Sequence, residues 1–137
     1  MSPKKINILL IEDDKIEVLK FKRTLAKLES PHTLIEAKNG EDALQFLKTQ
    51  RPPDIILLDL NMPRINGIEF LSILKADEVL KYIPTIILTT SSNRNDILEC
   101  YKIGIAGYII KPLKYDDYVI KIQHLLNYWS NNELIKV

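Results

Sequence analysis

Four places in this chain set a reactive side chain at the end of an apolar run. Glu12-Asp13-Asp14 follows Ile6–Ile11, Asp59 follows Ile55–Leu58, Thr89 closes Thr85–Thr89, and Lys111 follows Gly107–Ile110. Brought to one place, three of the carboxylates (Glu12, Asp13, Asp59) would repel one another, at roughly 4 kcal/mol per pair for 4 Å and an effective dielectric of about 20. A hard divalent cation removes that cost. All-oxygen ligands suit Mg²⁺, which keeps several waters and takes one or two carboxylates plus phosphate oxygens. Lys111 and the Thr89 hydroxyl are donors that an anion beyond the metal would require. An aspartate so placed is a metal ligand, a nucleophile toward a phosphoryl group, or both. No Gly-rich phosphate loop or Walker lysine accompanies it, and neither His32 nor His124 stands at a strand end. The chain is therefore expected to receive phosphate rather than to split a nucleotide.

Convergence requires a fold that opens all these run ends on one edge. Five strand-like runs alternate with five helical patterns, which dictates an α/β fold with a parallel sheet, right-handed crossovers and helices on both faces. In such sheets ligands bind at the carboxyl ends of the strands. The strands are expected at Ile6–Ile11, Thr33–Ala37 (an edge strand by its mixed character), Asp54–Leu58, Thr85–Thr89 and Gly107–Ile110. Helices are expected at Lys15–Glu29 with Val18, Phe21, Leu25 and Leu28 buried; after an Asn39 N-cap; over Gly67–Lys75; from Asn93 to a Gly104 C-cap; and over Tyr115–Ser130. The turn after Asp59 is expected at Asn61, Met62 and Pro63. The fourth helix is expected to carry Ile97, Cys100 and Tyr101 on one face. In the last, Tyr118, Ile122, Leu125, Leu126 and Trp129 form one apolar stripe. Ala76–Tyr82 reads as a polar stretch leading to Pro84.

Length and composition fit one domain. The chain has 137 residues, 46% of them hydrophobic, enough for a packed core, and a net charge of +1 that gives no field for nucleic acid or anionic lipid. No apolar run approaches the roughly 18 residues of a membrane span, and the N-terminal run is too short for a signal peptide. One cysteine, Cys100, rules out an internal disulfide and reads as an inert core residue. A cytoplasmic location is the default. The expectation is a single domain over residues 1–137, its core at about 5–128 and its tail, 131–137, frayed. His32 and His124 are expected to face solvent.

The acidic pair in LLIEDD, the carboxylate in LLDLNMPRING, the hydroxyl in PTIILTTS and the lysine in GYIIKP, in this order at strand ends, resemble the receiver domain of two-component response regulators, the CheY-like family. The resemblance implies a flavodoxin-like, doubly wound five-stranded sheet in the order 2-1-3-4-5. It implies that Asp59 is the phospho-acceptor and that Glu12 and Asp13 are the acidic pair, preferred over Asp13-Asp14 because they end the apolar strand. It further implies that Mg²⁺ is held by Glu12, Asp13, Asp59 and the backbone carbonyl of Asn61, and that Thr89 and Lys111 sense the phosphate. Tyr108 would be the aromatic whose rotamer follows Thr89, and Lys111-Pro112 a cis peptide. Such a domain catalyses only its own phosphoryl transfer and hydrolysis. Its partner would be a histidine kinase.

The LNMPR run, the long segment before Pro84, the LTTS sequence and the aromatic last helix look like stand-alone receivers serving phytochrome-type kinases. No DNA-binding or enzymatic output region is read after the last helix. The extra aromatics Tyr115 and Tyr128 suggest a partner or homodimer surface in the 93–130 region; neither nucleic acid nor membrane is expected as a partner. Two rival readings are a Mg²⁺-dependent phosphatase with an aspartyl nucleophile and a flavin-binding module on the same topology. The first would place a second Asp where this chain has Asn61, which cannot do general acid work. The second would set an FMN phosphate against a cluster of carboxylates.

Overall fold

The structure is a computed structural model that describes residues 4–62 and 64–135; Pro63 of the expected turn and the last two tail residues lie outside them. Strands β1 (Asn7–Ile11), β2 (Thr33–Ala37), β3 (Ile55–Leu58), β4 (Thr85–Thr89) and β5 (Gly107–Ile110) alternate with helices α1 (Lys15–Lys27), α2 (Gly40–Thr49), α3 (Gly67–Ala76), α4 (Arg94–Ile103) and α5 (Tyr115–Ser130). The strands form one parallel sheet in the order β2-β1-β3-β4-β5. This is the flavodoxin-like order, with both edges occupied by the less buried strands.

Period-two alternation divides the core between the two faces of the sheet. Leu9, Ile11, Ile56, Leu58 and Ile87 pack with Ala43 and Leu47 of α2, Phe70, Leu71 and Leu74 of α3, and Cys100 of α4. Ile8, Leu10, Ile55, Leu57, Ile86 and Leu88 pack with Phe21 of α1 and with Tyr118, Ile122, Leu125 and Leu126 of α5. The apolar stripe of α5 is therefore packing, as its spacing predicts. Short polar side chains start four helices. Asp14, Asn39, Asn66 and Asn93 each accept a backbone N–H from the first turn of α1, α2, α3 and α4 respectively.

Several expectations are corrected. Helix α1 stops at Lys27, short of Glu29, because Glu29 takes a left-handed backbone (φ 51°) and the Ser30 N–H donates back to Leu25 O at 2.9 Å. The polar stretch between α3 and β4 holds a short helical turn that the sequence reading did not include. Asp77 Oδ1 accepts the N–H groups of Val79 and Leu80, and Lys75 Nζ donates to the carbonyls of Lys81 and Ile83, closing a 3₁₀ turn at Leu80–Tyr82. Tyr101 faces outward, 52% exposed, because α4 buries mainly Cys100 against the sheet. His32 is half-buried, its Nδ1 accepting the Ile6 N–H at 3.1 Å. His124 is exposed. After Ser130, Lys4 Nζ meets Glu133 at 2.9 Å and Leu134 lies against the core. Among the described residues no helix is long and apolar enough to cross a membrane.

Candidate functional site

The sheet brings the carboxyl ends of β1 and β3 side by side. Ile11 pairs with Leu58, and the Asp59 N–H donates to Ile11 O at 3.1 Å. The strand ends thus deliver Glu12, Asp13 and Asp59 together, one carboxylate oxygen of each within 4.8 Å of the other two. Glu12 and Asp59 are buried, and Asp13 is exposed. Asp59 Oδ1 is buried and has no hydrogen-bond partner. A buried carboxylate oxygen without a donor is costly, and here it faces a set of hard oxygen ligands. That donor set fits a divalent cation of the Mg²⁺ class.

Behind Asp59 the turn is tight. Met62 and Gly67 both donate their N–H to Leu60 O, and a Cβ at position 67 would come within 2.6 Å of Leu60 Cα and 2.7 Å of Asp59 O. Only glycine lets the start of α3 approach the end of β3 so closely. Asn61 is exposed and lines a cleft with Asp13, Asn66 and Asp96.

Lys111 arrives from the end of β5. Its N–H donates to Thr89 O at 2.8 Å, and its Nζ donates to Glu12 Oε1 at 2.7 Å. The side chains of this pair are 6% and 3% exposed. Burial pushes Glu12 up to about 7, with Asp59 adding to the rise, although Lys111 pulls the other way. For Lys111, burial would lower its pKa, but the hydrogen bond and charge of Glu12, then the charges of Asp59 and Glu17, outweigh it and raise it. The lysine therefore stays cationic in the buried rim. No cis peptide bond occurs among the described residues, so Lys111-Pro112 is trans, contrary to what the resemblance implied. The trans form is the intrinsic preference of an X–Pro bond by about 0.5–1 kcal/mol, and from it the ammonium reaches Glu12.

Thr89 is fully buried, its Oγ1 accepting the Ser91 N–H at 3.4 Å. The Tyr108 hydroxyl donates to Ser91 O at 2.9 Å, which places the ring half-buried in contact with the β4–α4 loop. Thr89 and Tyr108 thus meet at one residue, Ser91. Tyr115 is not a spare surface aromatic. It stacks on Tyr118, lies under Arg23, and its hydroxyl accepts from Thr24 Oγ1. Tyr128 is 62% exposed.

Sequence reasoning missed two residues. Ser91 was only one of a cluster of hydroxyls. Glu17, in the first turn of α1, lies 3.7 Å from Lys111 Nζ. The signal for it was geometric, since side chains of a first helical turn lean back toward the helix N-terminus, here toward the end of β1.

Comparison with known proteins agrees with this geometry. Residues 8–123 match the response regulator receiver domain family. The chain is 34% identical to the response regulator Rcp1 of Synechocystis sp., covering 93% of this chain and 90% of Rcp1. It is 32% identical to the probable methanogenesis regulatory protein FilR2 of Methanothrix harundinacea, covering 89% and 82%. The crystal structure of the phosphorylated cyanobacterial phytochrome response regulator RcpA superposes with a TM-score of 0.88 at 31% identity, over 95% of this chain and 98% of that one. The Mn²⁺-bound form of Rcp1 superposes with a TM-score of 0.86 at 31% identity, over 96% and 99%. With strand order, strand-end carboxylates and the buried lysine in agreement, the chain belongs to the response regulator receiver domain family and is a receiver domain of a two-component system.

Proposed function

We propose that Asp59 is the phospho-acceptor of this receiver and that a histidine kinase, of the phytochrome type, is its donor. The observation that carries this is the unpartnered, buried Oδ1 of Asp59 beside two carboxylates, with Lys111 cationic in the same rim. In the transfer, an Asp59 oxygen forms the P–O bond as the P–N bond of the donor phosphohistidine breaks and the imidazole leaves. Glu12, Asp13, Asp59 and the backbone carbonyl of Asn61 would hold Mg²⁺. When bound, that ion neutralises charge on the transferred oxygens. Lys111 then donates to a phosphoryl oxygen, and Thr89 offers its hydroxyl once it leaves Ser91. Such a movement would loosen the Ser91 contact that positions Tyr108, so Tyr108 serves as the switch.

The phytochrome assignment is supported by the likeness to Rcp1 and to RcpA, a cyanobacterial phytochrome response regulator. Residues 1–137 act as one domain in this reading, supported by a single sheet that takes in every strand among the described residues. It signals from the cytoplasm, catalysing only its own phosphoryl transfer and hydrolysis. A homodimer or partner contact through the 93–130 region belongs to the same proposal, supported by exposed Leu98, Tyr101, Ile120 and Tyr128. The test is incubation with acetyl phosphate and Mg²⁺ followed by intact mass. One added phosphoryl group is expected, lost with chelator or with Asp59→Asn; addition that survives Asp59→Asn rejects the assignment.

A further inference from the structure

Glu17 is not among the groups assigned to phosphate or metal, yet it faces the lysine of the site. Lys111 Nζ has two carboxylate neighbours: Glu12 Oε1 at 2.7 Å and Glu17 Oε1 at 3.7 Å. The two carboxylates differ in employment. Glu12 belongs to the cluster that fits a cation, whereas Glu17 stands one helical turn further on. Its other oxygen, Oε2, is buried and without a hydrogen bond, although Lys20 Nζ lies at ion-pair distance, 3.2 Å. Lys20 in turn sits over the Tyr118 ring at 4.4 Å, which fixes that side of the pair. The oxygen on the rim side is Oε1, 3.7 Å from Lys111 Nζ, just beyond hydrogen-bond reach and close enough for a small movement to make the bond.

A divalent cation and an ammonium compete for the same Glu12 carboxylate. Cation binding draws electron density from Glu12 and adds repulsion against Lys111. Without another acceptor, the ammonium would either hold Glu12 against the cation or lose its anchor in a buried place. An ammonium has three donors, so one can be kept on Glu17 while the others serve an incoming anion. We infer that Glu17 is a positioning residue that takes over Lys111 when a divalent cation claims Glu12, releasing Glu12 to the cation while holding the ammonium beside Asp59. This rests on the proposed metal role of Glu12, Asp13 and Asp59.

A double-mutant cycle on Mg²⁺ affinity, measured by calorimetric titration, tests it. Glu17→Gln is expected to weaken Mg²⁺ binding about fivefold when Lys111 is present, and by less than about twofold in a Lys111→Met background. An equal loss in both backgrounds would make Glu17 a bulk charge only, and overturns the inference; so does no loss in either. Should Lys111→Met fail to fold, a crystal structure of the Mg²⁺-loaded wild type decides. Lys111 Nζ hydrogen-bonded to Glu17 is expected, and Lys111 still on Glu12 with Glu17 no closer than 3.7 Å refutes it. If the wild type binds no Mg²⁺, the metal reading of the site falls and this inference with it. Binding that ignores Glu17 rejects the inference alone.

Discussion

The two ends of the sheet use carboxylates in opposite ways. At the amino ends of the strands, Asp54 Oδ2 accepts the Asn7 N–H at 2.7 Å, and His32 Nδ1 accepts the Ile6 N–H. Both side chains close backbone donors that the sheet leaves over, and the result is stabilising. At the carboxyl ends, Glu12, Asp13 and Asp59 crowd together and Asp59 Oδ1 has no donor at all. The same residue type therefore stabilises one rim and destabilises the other. The difference marks the second rim as the place built for something outside the chain.

The largest expected effect is at the carboxyl rim. Gly67→Ala would force its Cβ into the backbone of Leu60 and Asp59, so stability should fall by about 3 kcal/mol in chemical denaturation, with Mg²⁺ affinity falling too. At the amino rim, Asp54→Ala removes the acceptor of the Asn7 N–H and should cost about 2 kcal/mol while leaving Mg²⁺ affinity unchanged. A change in affinity there would break the division between the rims. Asp59→Asn should go the other way, raising the stability of the metal-free protein by about 1 kcal/mol because one buried like charge is removed; a loss would mean that Asp59 already stabilises the empty rim.

The smallest effect sharpens the contrast, since the rims titrate with opposite sign. Burial lowers His32 below its ordinary 6.5, so the unfolded chain binds the proton more readily. His32 contributes stability above about pH 6.5 that is lost as pH falls through its folded-state value. Glu12 is raised from 4.5 to about 7, so its contribution is present below 4.5 and lost as pH rises through 7. His32→Asn should remove the rise of stability with pH near 6.5 in thermal unfolding of the metal-free protein and leave the opposite slope of Glu12 there. An unchanged profile would show that the Ile6 N–H does not depend on the neutral imidazole.

Much of the fold is legible in the sequence itself. Runs such as IILL ending in Asp59 declare both a covered strand and its exit, and the apolar stripe from Tyr118 to Trp129 declares its helix. Strand bounds missed by one residue where a polar side chain folds back on the ladder, as Asp54 does. The 3₁₀ turn was hidden because its stability comes from Asp77 and Lys75, which neither repeat nor alternate. Tyr101 and Tyr115 were misplaced because helical spacing gives a face but not how wide a strip the sheet covers, nor that Arg23 would draw Tyr115 onto α1. Glu17 escaped because its partner, Lys111, follows β5, far along the chain, and only the folded sheet brings the two together.

One small contact joins the rim to a helix. Glu12 Oε2 accepts the Asp14 N–H at 3.3 Å, and Asp14 Oδ1 accepts the Ile16 N–H at 2.9 Å, so the cap of α1 hangs from a carboxylate of the cluster. Lys15, exposed between them, becomes a convenient place for a fluorescent or spin label: a reporter there would register occupancy through the backbone, leaving every ligand atom untouched.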